Sequence, residues 1–483
     1  MDITDFILMK HELLLTIVTL IILISEIFFT DKRRIIPLSI TLFGLYTIFG
    51  FFGNETGDLF GGMYQNSELI TLMKNILNLG VFIVLLQSTD WLLKEENKNR
   101  ISEFFILLFS TLIGMNFMIS SGDFLMFYLG LELATIPMAA LVAYNTHDSK
   151  SSESGLKLIM SAAFSSAVML FGISLFYGQF GTLYFSELTS ADFGSPLSVM
   201  AFIFFISGLG FKISLVPFHF WTADVYEGAP TNVTAYLSVI SKGAAVFIFS
   251  ILLFTVFKTM VDVWTDILCV LSILTMTIGN LFAIRQNNIK RFLAFSSVAQ
   301  AGFILLGLLG PNILGESELG ISTVIYFVLI YIFSNLAAFG VVAAIEAKTN
   351  KVNIDDYNGL YHTNPNMSLL MMLALFSLAG IPPLAGFFGK FFLFTAAAQN
   401  GYFWLVLIAV INATISLYYY LLVVKAMFIN KNESPIKRIE NNWYMKISFI
   451  ICLIAILSLG FYGDLFEYIN NVSIQYFNSK SGL

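Results

Sequence analysis

Four charged side chains lie inside apolar segments that are long enough to cross a membrane: Glu132, Lys212, Lys242 and Lys390. A charge at the centre of a bilayer costs about 3 kcal/mol on insertion scales, so four uncompensated charges would cost on the order of 10 kcal/mol. Ionisable residues at that depth are typical of ion and proton pathways, where water and paired charges offset the cost. One acid and three lysines therefore predict a path for protons or other ions.

Each lysine also has a structural alternative, in which its side chain reaches along the helix to the membrane surface or forms a fixed ion pair. Lys212 lies nine residues from the aromatic end of its segment, which is about 13 Å along a helix and further than one lysine side chain comfortably spans. Lys242 and Lys390 are similarly deep, so a functional role is predicted for all three. Lys74 and Lys425 lie within about a turn and a half of a segment end and are predicted to reach the surface.

Glu132 is the acid that a membrane lysine needs as a partner. A neighbouring carboxylate strengthens a lysine's hold on its proton, while burial weakens it. A pair between Glu132 and Lys212 that opens and closes would therefore let the lysine take up and release protons. A static salt bridge between the two residues is the structural alternative.

A path between these charges needs further polar side chains, and seven are candidates: His219, Ser296, Ser297, Gln300, Ser334, Asn335 and Asn412. His219 lies seven residues after Lys212, so a continuous helix would place both on one face and allow a proton relay. The alternative for each of the seven is that it stabilises helix packing. Asp224 and Glu227 end the same segment, either collecting protons or remaining solvated loop carboxylates.

The composition excludes a soluble protein, because 57% of the 483 residues are hydrophobic and only 12% are charged. No basic block suggests nucleic acid. The chain has no phosphate-binding loop, no completed dinucleotide fingerprint and no metal-spaced His/Cys cluster, and its two cysteines lie in separate apolar runs. We therefore expect no redox centre and no metal in this chain.

Apolar runs of membrane-spanning length recur with short polar breaks. They predict an all-α polytopic membrane protein with fourteen spans, at about 11–29, 35–52, 69–93, 102–119, 123–143, 156–180, 199–222, 233–258, 262–284, 292–310, 319–345, 366–398, 402–429 and 443–466. Asp2 and Asp5 stand where a signal peptide has basic residues, so the first run is expected to be a retained span. Sixteen lysines and arginines fall in loops on one side and three on the other, which predicts that both termini face away from the cytoplasm.

Two spans carry prolines near their lysine, and a proline breaks the hydrogen bonding of a helix interior. Span seven holds Lys212 and Pro217, and span twelve holds Pro382, Pro383 and Lys390. The two spans are five apart and so run in opposite directions, which is typical of transporters built from inverted repeats. The predicted units are three N-terminal helices (1–101), repeats of five helices (102–258 and 259–429) and helix 14 (430–483).

The segment that follows Lys212 carries a specific motif, Pro217-Phe-His-Phe-Trp-Thr-Ala-Asp-Val-Tyr-Glu-Gly-Ala-Pro230-Thr-Asn-Val-Thr-Ala-Tyr236. It resembles the N-type family of antiporter-like subunits in bacterial proton-pumping NADH:quinone oxidoreductase, respiratory complex I. The M-type and L-type subunits and the multi-subunit cation/proton antiporters usually read Trp-Leu-Pro-Asp-Ala here. M-type subunits usually have a glutamate in place of Lys390. L-type subunits usually continue into a long lateral helix, whereas this chain ends soon after Phe466.

The resemblance implies roles for single residues. Glu132 and Lys212 match the family's glutamate–lysine pair, Lys242 its connecting lysine, and Lys390 the exit lysine of span twelve. Gln300 stands where many relatives have histidine, so a titrating relay is in doubt there. Ala223 and Asn232 replace prolines of many relatives, which we expect to affect loop geometry alone.

The resemblance also implies a function: a membrane-arm subunit that moves protons, driven by reduction of ubiquinone or menaquinone elsewhere in the complex. NADH would be the donor, FMN, iron–sulfur clusters and quinone would lie in partner subunits, and this chain would bind no cofactor. Its partners would be membrane subunits of the A, H, J, K, L and M types within the bacterial cell (inner) membrane. The alternatives are a subunit of a cation/proton antiporter driven by an ion gradient, or a membrane subunit without transport.

Overall fold

Helices form along almost the whole chain, because a backbone in a bilayer has to satisfy its hydrogen bonds internally. The computed structural model describes residues 3–53, 55–309 and 319–481. Within these ranges the β-structure consists of one two-stranded antiparallel sheet and three isolated bridges. The all-α fold class predicted from the apolar runs is confirmed.

The N-terminal unit is a three-helix group with a small hairpin. It contains α1 (Lys10–Phe28), α2 (Ile35–Gly50), β1 (Gly57–Leu59), β2 (Tyr64–Asn66) and α3 (Glu68–Leu92). Short 3-10 turns at Ile3–Met9, Lys32–Arg34 and Phe60–Gly62 join these elements. The hairpin pairs Gly57 with Asn66 and Leu59 with Tyr64, and it adds to the group a buried tyrosine, Tyr64.

The next two groups are the predicted repeats. The first contains α4 (Ile101–Ile119), α5 (Phe124–Val142), α6 (Ser149–Phe180), α7 (Phe185–Leu188), α8 (Pro196–Ile213), α9 (Phe220–Gly228), α10 (Thr231–Tyr236), a π-helical turn (Leu237–Ser241) and α11 (Lys242–Phe254). After a 3-10 turn (Lys258–Met260), the second contains α12 (Val261–Ile284), α13 (Ile289–Leu308), α14 (Leu319–Thr349), a 3-10 turn (Ile354–Tyr357), α15 (Leu360–Thr363), α16 (Pro365–Ala379), α17 (Ala385–Gln399) and α18 (Phe403–Phe428).

The C-terminal segment differs from its prediction. Span fourteen, expected over 443–466, ends early: α19 (Trp443–Ser458) is followed after an 86° bend by α20 (Gly463–Ser481). The reason is composition, because α20 buries Ile469, Val472 and Tyr476 on one face while Asp464 and Glu467 are exposed. Such an amphipathic helix is typical of a membrane surface, not of a span.

Every other predicted span contains a helix or two half-helices. Among the described residues eleven helices are long and apolar enough to cross a membrane, or twelve if α19 and α20 count as one bent span. The remaining predicted spans correspond to α2, with 16 residues, and to the half-helices α16 and α17, with 15 residues each. Gly310, the predicted end of span ten, lies outside the described residues.

Both predicted helix breaks are present. Span seven divides into α8 and α9, and span twelve into α16 and α17. Each first half ends at a left-handed residue, Ser214 (φ 67°) or Gly380 (φ 90°), and each break holds a cis peptide bond before proline, at Pro217 or Pro383. The left-handed residue and the proline of the first break each recur 166 residues later at the second break. By the same interval, Lys390 in the second repeat corresponds to Asp224 in the first.

Further matched features identify the second helix of each repeat. Asp123 caps α5 and Asn288 caps α13 through their side chains. Each forms an isolated antiparallel bridge to the residues after the third helix, Tyr184 or Asn353. The flanking hydrogen bonds also correspond, from Phe124 N to Leu183 O and from Ile289 N to Val352 O.

Contacts at the ends of the helices give the repeats their relative direction. The N-terminal end of α6 lies next to Asp224, because Ser154 Oγ in its second turn donates to the Asp224 carbonyl at 3.0 Å. The first turn of α13 lies at the same end, because Arg291 donates to the Asp224 carboxylate at 2.7 Å. Since α6 begins where α5 ends, α5 and α13 start at opposite ends of the bundle. The repeats are therefore inverted.

Close packing of α4 on α5 yields a first prediction. A Cβ on Gly130 would lie 2.5 Å from the Met118 nitrogen, whereas a Cβ on Gly178 of α6 would meet nothing within 4 Å. We expect Gly130→Ala to destabilise the fold by about 1–3 kcal/mol through overpacking. Gly178→Ala is the matched control and should be neutral or stabilising, because alanine has the higher helix propensity. Thermal unfolding in detergent measures both; equal melting temperatures would contradict the packing.

Candidate proton-relay site

Lys212 lies in the last turn of α8, directly before the first break. Its side chain is buried, with 8% of the residue exposed. The Nζ atom donates to Thr135 Oγ1 on α5 at 2.8 Å. A small cavity between α5, α6 and α8 reaches this ammonium and is also lined by Ser165 and Ser166. The lysine thus has a hydroxyl partner and polar neighbours at the depth predicted.

Glu132 lies one helical turn from Thr135 but forms no ion pair with Lys212 within 4.0 Å, although the structure describes both side chains. The residue is half-buried, and its Oε1 atom is buried without a hydrogen-bond partner. The static salt bridge considered from the sequence is therefore absent. Lys212 is held instead by the neutral hydroxyl of Thr135.

Lys242 lies at the centre of the bundle, where the π-helical turn joins α11. The residue is 2% exposed. Its Nζ atom donates to Ser297 of α13 twice, at 2.6 Å to Oγ and at 3.1 Å to the carbonyl. Within the described residues no carboxylate pairs with this lysine or with Lys390. Only dipoles therefore offset the cost of charging Lys242.

Lys390 lies on α17, after the second break, and is buried. Its Nζ atom donates to the carbonyl of Ala379 at 3.1 Å and lies 4.5 Å from the centre of the Phe303 ring. A carbonyl freed by the break and the face of an aromatic ring both stabilise a cation. The lysine is therefore held toward the protein interior.

A second small cavity connects Lys390 with polar groups on three neighbouring helices. Its lining includes Gln300, Tyr331, Ser334 and Ser377. Ser334 and Ser377 share a hydrogen bond of 2.8 Å. The Gln300 amide donates to the Leu378 carbonyl at 3.0 Å. This cavity lies on the α13 side of Lys390, and α13 also carries Ser297, the partner of Lys242.

Three residues of this region were not predicted from the sequence. Tyr331 lines the cavity of Lys390 and has a buried hydroxyl without a protein partner. Tyr420 bonds to the hydroxyl of Ser296 and lies 3.4 Å from the Gln300 amide nitrogen. Ser377 lies at the second break, where its hydroxyl shares a hydrogen bond with Ser334 and accepts one from the Gly386 amide. The only sequence signal is that each is polar within an apolar span.

Asn335 and Asn412 form hydrogen bonds between neighbouring helices. The Asn335 amide donates to Ser238 in the π-helical turn at 2.7 Å. Asn412 accepts from Asn280 of α12 at 3.0 Å, through both its side-chain and its backbone oxygen. Hydrogen bonds of this kind hold neighbouring membrane helices together.

His219 does not share a helical face with Lys212, contrary to the sequence argument. The seven-residue interval crosses the break, because α8 ends at Ile213 and α9 begins at Phe220. His219 is buried at the start of α9 and stacks on Phe220 with 4.8 Å between ring centres. Its Nδ1 atom has no hydrogen-bond partner in the described chain.

Asp224 and Glu227 at the end of α9 are ion-paired, not merely solvated. Arg291 donates to Asp224 at 2.7 Å and to Glu227 at 2.8 Å, and Lys157 donates to Asp224 at 2.7 Å. Burial raises the pKa of Asp224, but hydrogen bonds from Lys157 and Arg291 outweigh it and leave the pKa below its usual range. This network connects the two repeats.

Lys74 contradicts its predicted role at the membrane surface. Its side chain is fully buried and forms an ion pair of 2.7 Å with Glu12. The prediction was wrong because the hairpin β1–β2 covers this end of α3, which its distance from the segment end does not reveal. Lys425, in contrast, is exposed, and its reach to the membrane surface stays a prediction.

Comparison with known proteins decides the family. The model of a family described as NADH:quinone oxidoreductase/Mrp antiporter, TM matches residues 121–416. NADH-quinone oxidoreductase subunit N from Phocaeicola vulgatus is 48% identical over 98% of this chain and 100% of its own length. The chain belongs to the NADH-quinone oxidoreductase subunit N family. The same-named protein of Azobacteroides pseudotrichonymphae, at 47% identity over 98% of this chain and 99% of its own, agrees, and the resemblance inferred from the motif is confirmed.

Solved structures agree with membership of the subunit N family. A chain of respiratory complex I from Thermus thermophilus with bound Aureothin has a TM-score of 0.78 and 26% identity, covering 94% of this chain and 98% of that one. A chain of the Mrp complex from Dietzia sp. has a TM-score of 0.86 at 19% identity, covering 98% and 97%. This second likeness shows a shared fold.

The lysine at the bundle centre yields a second prediction. Lys242 has dipolar partners and no carboxylate, so its charge is costly to bury. We expect Lys242→Met to leave the melting temperature of the purified protein unchanged or raised, because it replaces a desolvated ammonium with an apolar side chain of similar length. Calorimetry of both proteins is the measurement. A loss of several degrees would show that the ammonium stabilises the packing of α11 on α13.

Proposed function

We propose that this chain, a membrane-arm subunit of an NADH:quinone oxidoreductase, carries protons across the membrane through Lys212, Lys242 and Lys390, with Glu132 modulating the first of them. The supporting observation is the set of three buried lysines, none of which is neutralised by a direct carboxylate partner among the described residues. A buried amine that bonds only neutral groups can lose its proton at modest cost.

The proposed route follows the polar groups of the site. Protons enter beside Lys212 at the end of the bundle that carries Asp224, and pass to Lys242 at the centre. From there Ser297, Tyr331 and the neighbouring serines lead to Lys390. Lys390 is the outlet station, because the break beside it frees backbone carbonyls that need water or polar partners at membrane depth.

Glu132 supplies the control in this proposal. With the carboxylate near, Lys212 holds its proton; with the carboxylate apart, the lysine releases it toward Lys242. The separation of Glu132 from Lys212 in this structure corresponds to the releasing state. Electron transfer elsewhere in the complex would drive the change between the two states.

The surroundings of the chain complete the proposal. It is a multi-pass protein of the bacterial inner membrane, with both termini on the non-cytoplasmic side, as the sixteen-to-three distribution of basic loop residues supports. NADH, FMN, iron–sulfur clusters and quinone belong to partner subunits. The membrane partners are subunits of the A, H, J, K, L and M types.

Lys212 provides the first test. We expect Lys212→Met to lower proton pumping by about tenfold or more, because a positioned proton carrier contributes roughly 10²–10⁴-fold. Pumping is measured by dye quenching in inverted vesicles, and assembly by NADH oxidation with an artificial electron acceptor. Lys425→Met, which removes an exposed lysine from another span, is the matched control. Normal pumping by an assembled Lys212→Met complex would remove this residue from the path.

Glu132 provides a second test. Glu132→Asp keeps the charge at shorter reach, whereas Glu132→Gln keeps the shape and removes the charge. We therefore expect pumping by the glutamine variant to be lower than pumping by the aspartate variant. Pumping rates in the same vesicles, normalised to assembled complex, measure the difference, and equal rates would argue that the charge has no role.

A further inference from the structure

A second buried charge cluster lies in the N-terminal unit, outside both repeats. Lys74 Nζ is 2.7 Å from Glu12 Oε1, and the side chains are 0% and 2% exposed. The Tyr64 hydroxyl, brought in by the hairpin, is 3.0 Å from Lys74 Nζ and 2.9 Å from the other oxygen of Glu12. Three titratable groups from α1, α3 and β2 thus form a closed triangle of hydrogen bonds.

Unpartnered polar atoms surround this triangle. His11, next to Glu12, is 1% exposed, and neither ring nitrogen has a hydrogen-bond partner in the described chain. The Asn75 side-chain oxygen, beside Lys74, is also buried without a partner. Buried polar atoms without protein partners are usually satisfied by water. The cluster is therefore bordered on α1 and α3 by polar atoms that the described chain leaves without a partner.

Polar groups continue from the cluster into the bundle. Asn78 lies one turn beyond Lys74 on α3, and its amide donates to the Tyr46 hydroxyl of α2 at 3.3 Å. Asn116 of α4 donates to the same hydroxyl at 3.4 Å, while its own oxygen is buried without a partner. These groups extend from the cluster toward the helices that surround Lys242.

Helix α3 also packs against α11, the helix that begins at Lys242. Leu77, next to Asn78, packs against Gly243, because a Cβ added there would lie 3.2 Å from Leu77 Cδ2. Gly243 is the residue after Lys242. Helix α3 thus carries the cluster and also packs, through an apolar contact, beside the residue that follows Lys242.

The charged residues around the cluster are few. Lys10 of α1 donates to the backbone carbonyls of Phe52 and Gly53, at the open end of the bundle. Glu55 follows in the exposed loop before the hairpin. The neighbouring surfaces of α2 and α4 contribute Tyr46 and Asn116, which carry no charge. Among the residues that the structure describes, the charged side chains of the cluster are therefore Glu12 and Lys74, and His11 is a further titratable neighbour.

We propose that Glu12, Lys74 and Tyr64 form a further proton-exchange station, which passes protons between the Lys242 region and the membrane face at which α1 begins. The inference rests on the function proposed above. A proton moves from the Lys74 ammonium to the Glu12 carboxylate along their hydrogen bond, leaving an amine and a carboxylic acid. The buried acid passes the proton on toward the membrane face at which α1 begins, and the amine accepts the next proton from the Asn78 side.

The experiment separates this role from a fixed ion pair. Removing one partner of a buried pair leaves a lone charge and is strongly destabilising, whereas replacing both with apolar or neutral groups is often tolerated. The variants are therefore Lys74→Met, Glu12→Gln and the double variant, all in the complete complex. Assembly is measured with the artificial electron acceptor, and pumping as protons moved per electron pair.

The double variant gives the decisive result. We expect it to assemble and to move fewer protons per electron pair, by about threefold or more, since the carrier groups are gone. A merely structural pair predicts that the double variant assembles and pumps normally, which would overturn the inference. If the double variant fails to assemble, Lys74→Arg decides in its place, because a guanidinium keeps the ion pair with Glu12 but does not release its proton: a reduced proton yield supports the station and an unchanged yield rejects it.

The Lys212→Met variant, measured in the same vesicles, distinguishes the two proposals. Loss of pumping in Lys212→Met together with normal pumping in the double variant rejects the station alone. Normal pumping in Lys212→Met rejects the route proposed for the whole chain.

Discussion

Backbone hydrogen bonding inside the bilayer is the constraint on which this structure depends, because a broken helix leaves polar groups that lipid does not satisfy. The two breaks meet it with side chains. Lys390 donates to the Ala379 carbonyl, and Trp221 donates to the Phe211 carbonyl at 3.1 Å. Val216 donates its amide to Thr275 Oγ1 at 3.0 Å. The broken helix of each inverted repeat therefore also brings hydrogen-bond donors, hydroxyl groups or a lysine into the interior of the bundle.

The same constraint explains why glutamine suits position 300. An amide donor bonds to the Leu378 carbonyl, which the second break has freed. A neutral histidine ring would offer one donor as well, so the structural task does not require a titrating group. Glutamine at position 300 therefore satisfies the break without a basic nitrogen.

Much of this architecture follows from the sequence, because apolar runs report spans and prolines report breaks whatever the tertiary contacts are. The predictions that were wrong concern contacts made by the tertiary fold. The short hairpin that covers Lys74 leaves no periodic signal in the sequence, so neither the burial of Lys74 nor its pairing with Glu12 is predicted. His219 was placed by helical periodicity across a segment that is not helical. The bend before α20 is not predicted either, because the apolar run of α19 leads directly into the amphipathic sequence of α20.

The matching of the two repeats has one more consequence, for direction. Two identical inverted repeats would look the same from either side of the membrane, so they would give transport no preferred direction. Here the interval of 166 residues pairs Lys390 with Asp224, a cation with an anion, so the symmetry of the backbone is not shared by the charges. Asp224 in the first repeat is paired with Arg291, whereas Lys390 at the matching position of the second is a buried ammonium that bonds to the Ala379 carbonyl. The inverted repeats give the backbone a similar shape from both sides of the membrane, so a preferred direction depends on the side chains.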